Sequence, residues 1–143
     1  MWNIYEEIIT AVNALNINCT EVDEKQSQEV IKRIIKKYTT KNENTYLWEE
    51  IIDCVSVNNK DAWQWINDFI GDWEVILFFN SADEKKSFVF KNGEDLVSVL
   101  GETYGFEFYI TNKDLTYLMC FNHHDILIAS GIAKEWLKNK LNQ

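Results

Sequence analysis

Trp73-Glu74-Val75-Ile76-Leu77-Phe78-Phe79 decides the fold, because this run is almost wholly apolar and directly follows the glycine pause at Gly71. A short run of β-branched and aromatic residues reads as a central strand covered on both faces. Downstream, Ser87-Phe88-Val89-Phe90 lies beyond a polar turn, so the two runs read as a hairpin. Asn92-Gly93-Glu94-Asp95 then makes a helix start, with Leu96, Val97 and Leu100 on one face and Gly101 and Gly105 closing it. Residues 106–111 and 117–121 form a second strand pair around Asn112-Lys113-Asp114. A last helix is expected over 130–141, burying Ile132, Trp136 and Leu137. Residues 126–129 fit either a short strand or the first turn of that helix, since periodicity does not separate the two over so short a run.

Upstream of the decisive run the pattern is helical. Trp2, Tyr5, Ile8, Ile9, Val12 and Leu15 recur at helical spacing, and so do Val30, Ile31, Ile34, Ile35 and Tyr38, whose helix carries Lys32, Arg33, Lys36 and Lys37 outward. A third helix is expected after Asn44 or Thr45, holding Leu47, Trp48, Ile51, Ile52 and Val55, and a fourth over 60–70. On a helical wheel the apolar residues of the fourth span an arc of about 160°, with Trp63 and Trp65 at its edges. The expected fold is therefore α+β: a helical N-terminal half packed on a mainly antiparallel sheet of about four strands, with a C-terminal helix. At 143 residues it reads as a single domain spanning 1–143, long enough to bury roughly two thirds of its unfolded surface.

Charge is unevenly placed. The net charge is −9, and residues 42–84 hold ten acids against the single base Lys60, so this stretch carries the whole imbalance. The acids are Glu43, Glu49, Glu50, Asp53, Asp61, Asp68, Asp72, Glu74, Asp83 and Glu84, interleaved with Tyr46, Trp48, Trp63, Trp65, Phe69, Trp73, Phe78 and Phe79. Such a balance disfavours nucleic acid, whose binding relies on Lys and Arg neutralising phosphates. It favours a basic protein partner, because a one-signed field speeds capture and aromatic anchors dominate interface energy. Amphipathic helices with solvated outer faces produce the same composition by default.

No stretch approaches the roughly 18 to 20 apolar residues that span a bilayer. The start Met1-Trp2-Asn3-Ile4-Tyr5-Glu6-Glu7 lacks the pattern of a signal peptide, so a cytoplasmic location is expected. Cys19, Cys54 and Cys120 are odd in number and sit in apolar patterns, which reads as buried free thiols in a reducing compartment.

One segment could hold chemistry: Cys120-Phe121-Asn122-His123-His124-Asp125 contains both histidines of the chain. A zinc site needs about four ligands, usually two separated pairs, and no distant second pair exists here. Acid–base work by the two histidines, with Asp125 orienting one ring, would need a turn, since neighbours in an extended segment face opposite ways. Cys120 lies in an apolar run that disfavours a thiolate nucleophile. The structural alternative is that Asn122, His123 and Asp125 hydrogen-bond the turn that ends the strand.

Phe106-Glu107-Phe108-Tyr109-Ile110-Thr111-Asn112, then Tyr117-Leu118, Phe121-Asn122-His123-His124-Asp125 and Ala133-Lys134-Glu135-Trp136-Leu137 resemble the C-terminal signature of an uncharacterised family of small bacterial proteins. Its members are similar to the compact cytosolic immunity proteins that neutralise toxins exchanged between bacteria. The resemblance implies a binding role against a basic toxin or nuclease and assigns no catalytic residue.

Together these readings point to a non-enzymatic protein-binding domain, immunity- or antitoxin-like. Glu49, Glu50, Asp53, Asp61, Asp68 and Asp72 would supply the field and Trp63 or Trp65 the anchor, with no cofactor and no metal. The competing reading is a small hydrolase or metal-binding protein using Asn122, His123, His124 and Asp125. Exposed aromatics also leave room for self-association.

Overall fold

A computed structural model describes residues 3–40, 47–103 and 105–143. Trp2, Glu43, Tyr46 and the expected helix start at Asn44 or Thr45 lie outside the described residues. The central strand is where the apolar run placed it. β3 (Val75–Phe78) pairs antiparallel with both β4 (Ser87–Phe90) and β5 (Phe108–Thr111). β5 pairs in turn with β6 (Tyr117–Phe121), and β6 with β7 (Ile126–Gly131). The outer strands are β1 (Cys19–Val22), beside β4, and β2 (Cys54–Asn58), beside β7. The sheet thus has seven strands, all antiparallel, in the order β1-β4-β3-β5-β6-β7-β2.

Seven strands rather than four is the main correction, and each addition has a local cause. The spacing of Leu47, Trp48, Ile51, Ile52 and Val55 suggested a helix, but only 47–50 turn, as a short 3-10 segment. Asp53 has a left-handed φ of 51°, which an α-helix cannot accept. Beyond it, Val55 and Val57 are half-buried while Cys54, Ser56 and Asn58 are exposed, the period-two pattern of a strand. β1, Cys19-Thr20-Glu21-Val22, has an exposed polar centre and no fully buried residue, so no apolar run marks it. Residues 126–129, consistent with either element, are part of β7.

Helices cover both faces. Strand side chains alternate, so Phe78, Tyr109, Leu118, Cys120 and Ile128 meet Ile31, Ile34 and Tyr38 of α2 (Glu24–Tyr38) on one side. On the other, Val75, Leu77, Phe79, Ile110, Met119 and Leu127 meet α1 (Ile4–Leu15), α3 (Ile66–Ile70), α4 (Gly93–Gly101) and α5 (Ile132–Leu141). These four lie side by side as α1-α4-α3-α5: α4 touches both α1 and α3, while the Phe69 ring of α3 meets Trp136 of α5 at a tilt, centroids 5.3 Å apart. Burying such side chains stabilises by roughly 1.5–3 kcal/mol each.

Two helix ends sharpen the picture. α4 starts where expected, with Asn92 Oδ1 accepting from the Asp95 N–H at 2.7 Å. The fourth expected helix is split into a 3-10 turn (Ala62–Trp65) and α3, which ends at Gly71 as its glycine suggested. α5 begins two residues later than expected because Ser130 belongs to β7. Ala133 and Leu137 therefore face the core, and Ile132, expected to be buried, is 52% exposed. Of the three cysteines expected inside, Cys120 is buried and Cys19 partly so, but Cys54 is exposed because it sits on an outward position of the edge strand β2. Among the described residues no helix is long and apolar enough to cross a membrane.

Candidate functional site

Asn122-His123-His124-Asp125 forms the turn from β6 to β7. The turn closes because Asn122 N–H donates to the Ile126 carbonyl at 3.1 Å, Asp125 N–H donates to the Asn122 carbonyl at 3.1 Å, and Asp125 takes a φ of 60°. Asn122 Oδ1 accepts from the backbone N–H groups of His124, at 2.9 Å, and Ile126, at 3.2 Å. An Asn side chain that reaches back to nearby amides in this way is a standard means of fixing a turn. The turn brings the two imidazoles together with centroids 3.9 Å apart, so they do not face opposite ways as an extended segment would require. Trp48 presents itself edge-on to both rings, at 6.0 and 5.7 Å.

The partner of His123 is a residue the sequence reading had not singled out. Glu107, buried just before β5, accepts from the His123 backbone N–H at 3.2 Å and meets the ring Nδ1 through the same Oε1. Its other oxygen accepts from Asn80 Nδ2 at 2.8 Å. Asn80 Oδ1 accepts from the Tyr109 hydroxyl at 2.7 Å, and that hydroxyl accepts from the Trp48 backbone N–H at 3.1 Å. A buried carboxylate is tolerated only with such partners. Burial, reinforced by the charge of Glu107, pushes the neighbouring Cys120 thiol well above its ordinary value, so it stays protonated. Burial likewise raises the Tyr109 hydroxyl. The only sequence signal for Glu107 was a lone charge in an otherwise apolar strand start, on the opposite face from Phe106 and Phe108.

Beside this network a cleft of about 410 Å³ opens at the end of the sheet, among Trp63, Leu100, Phe106, Phe108 and Phe121. Its polar edge holds Lys60, Thr103, Asn122, His123 and Asp125. One candidate anchor, Trp63, and three of the four turn residues thus share a single depression. Among the described residues no three His, Cys, Asp or Glu side chains converge in a way that could hold a metal ion.

The acidic residues are dispersed. Glu49 and Glu50 follow Trp48 on the α2 side of the sheet, with Glu50 bonded to Thr40. Asp53 pairs with Lys134, and Asp68 with Lys140 at 3.1 Å, so α5 neutralises two members of the expected field. Lys140 also lies over the Trp65 ring at 5.2 Å. Asp61 and Asp72 are exposed at the two ends of the segment that runs from the 3-10 turn through α3, and neither forms an ion pair among the described residues. Trp63 and Trp65 are half-buried; Trp73, which precedes β3, is 63% exposed between exposed Asp72 and Glu74.

No curated protein and no solved structure shows a significant match to this chain. A model described as a family of unknown function (DUF6756) matches residues 2–141, and the chain belongs to that family.

Proposed function

We propose that this is a non-enzymatic protein-binding domain, immunity- or antitoxin-like, which occludes a basic toxin or nuclease in the cytoplasm. One observation carries the reading: Trp73 stands 63% exposed with an exposed acid on either side. An exposed ring of this size between two acids offers a partner an anchor within a field of long-range attraction. Asp61 and Asp72 supply the field together with Glu74, and Trp63 adds a second contact. Asp53 and Asp68 contribute less because Lys134 and Lys140 offset them. Affinity capture from a lysate of the source organism, at low and at high salt, tests the proposal. A basic protein retained only at low salt supports it; retention of acidic or salt-insensitive partners alone counts against it.

A second reading, a small hydrolase, is favoured by the hold of Glu107 on His123. A buried carboxylate that orients an imidazole at a cleft is an arrangement used in acid–base catalysis. Hydrolysis of a panel of ester and phosphodiester substrates that is lost in His123→Ala would favour this reading over the first.

A further inference from the structure

We infer that the cleft at the end of the sheet binds a neutral, planar heteroaromatic ring of nucleoside size. The inference stands on the cleft and shares only Trp63 with the protein-binding reading. It starts from the walls: the half-buried Trp63 and Phe106 line the cleft together with the buried Leu100, Phe108 and Phe121. Aromatic surfaces around a cleft of about 410 Å³ suit a flat ring that stacks, and the volume lies within the usual range for small-molecule sites.

The polar edge selects among flat rings. Asn122 is 2% exposed, and its Nδ2 has no acceptor among the described residues. The amide cannot simply be turned around, because its oxygen already serves two backbone N–H groups. Asn122 lines the cleft with this donor unspent but out of solvent reach, so a small shift of its side chain on ligand entry would bring it to a ligand acceptor, such as a carbonyl or ring nitrogen. Thr103 spends its hydroxyl proton on the Leu100 carbonyl at 2.8 Å, so it offers only lone pairs, as does Asp125. With the Lys60 ammonium on the same edge, donors stand beside acceptors, which matches the mixed edge of a nucleobase.

Charge and shape exclude the neighbouring classes. Lys60, the single base of the acidic stretch, lies in the cleft with Asp125, so the lining charges offset each other within a chain of net charge −9. A phosphate group would gain one cation locally and meet the repulsion of the whole. A free sugar lacks the flat π face that the aromatic walls around Trp63 and Phe106 would stack on.

The test is an amide-resolved NMR titration of the full chain with uridine and with adenosine, alongside uridine monophosphate, inorganic phosphate and glucose. Saturable shifts at residues 60–63, 100–106 and 121–125 are expected with a nucleoside, with binding several-fold weaker for the monophosphate and none for phosphate or glucose. Asn122→Asp keeps the oxygen that fixes the turn and replaces the donor by an acceptor; about a tenfold loss of affinity is expected. Phe106→Leu provides a second variant with reduced affinity should Asn122→Asp disturb the turn. The inference is overturned if neither nucleoside binds, if the shifts lie elsewhere, or if glucose, phosphate or the monophosphate binds as well as the nucleoside.

Discussion

His123 and Glu107, sixteen residues apart, meet twice through one carboxylate oxygen, which takes the backbone N–H of His123 and contacts its ring. The pair ties the β6–β7 turn to the start of β5, and Asn80 and Tyr109 extend the tie to β3 and across to Trp48.

Removing that carboxylate strands several donors at once. Glu107→Ala is expected to lower stability by roughly 1–3 kcal/mol, because buried groups lose their partners without regaining water. Glu107→Gln should recover only part, since an amide supplies one acceptor where two are used. Urea denaturation of the three proteins checks the order.

Gly131 links β7 to α5 with a φ of 68°, and a Cβ there would lie 2.4 Å from the Thr116 carbonyl oxygen and 2.8 Å from the Tyr117 Cα. Backbone cannot yield as a side-chain tip can. Gly131→Ala should cost roughly 2 kcal/mol or more, whereas Gly105→Ala, with φ 88° but open space, costs less. Thermal melts of the two variants give the comparison.

Thiol reactivity should follow position. Cys54, exposed on the edge strand, reacts first with a thiol reagent; Cys120 reacts only on unfolding, because it is buried and held as a thiol. Alkylation followed by peptide mass spectrometry resolves the sites, and early modification of Cys120 would contradict the packing.

Acid should destabilise the fold. The Lys134 ammonium holds the Asp53 carboxyl below its ordinary value, and Lys86, then the Tyr5 hydroxyl, do the same for Glu21. A carboxyl lowered in the folded state contributes above its unfolded pKa and loses that contribution as pH falls through the folded one. Melting temperature should therefore drop on acidification below the usual carboxylate range. Asp53→Asn should reduce that pH dependence slightly, as befits an exposed pair.

How far the sequence reaches is clear element by element. β3, β4, β5, β6 and α4 were legible because their apolar runs are bounded by turn residues, as Asn112-Lys113-Asp114 bounds β5 and β6. β2 was hidden because Ile51, Ile52 and Val55 mimic helical spacing, and the left-handed Asp53 that breaks the helix has no signature in one sequence. The turn at His123 and His124 was noticed as a cluster of reactive types. Its geometry depends on Glu107 and Asn80, which the antiparallel pairing of β3 with β5 brings together, and no local pattern could show that. The acids were equally legible as a charge block, but their pairing with Lys134 and Lys140 arises only because α5 packs against β2 and beside α3.

The most direct test of the binding account is the association rate of a captured basic partner with the native chain and with Asp61→Lys/Asp72→Lys/Glu74→Lys, each measured across ionic strength. The account predicts a slower rate and a flatter salt dependence for the reversed variant, with its melting temperature little changed. Equal rates and equal salt dependence in the two proteins would contradict it.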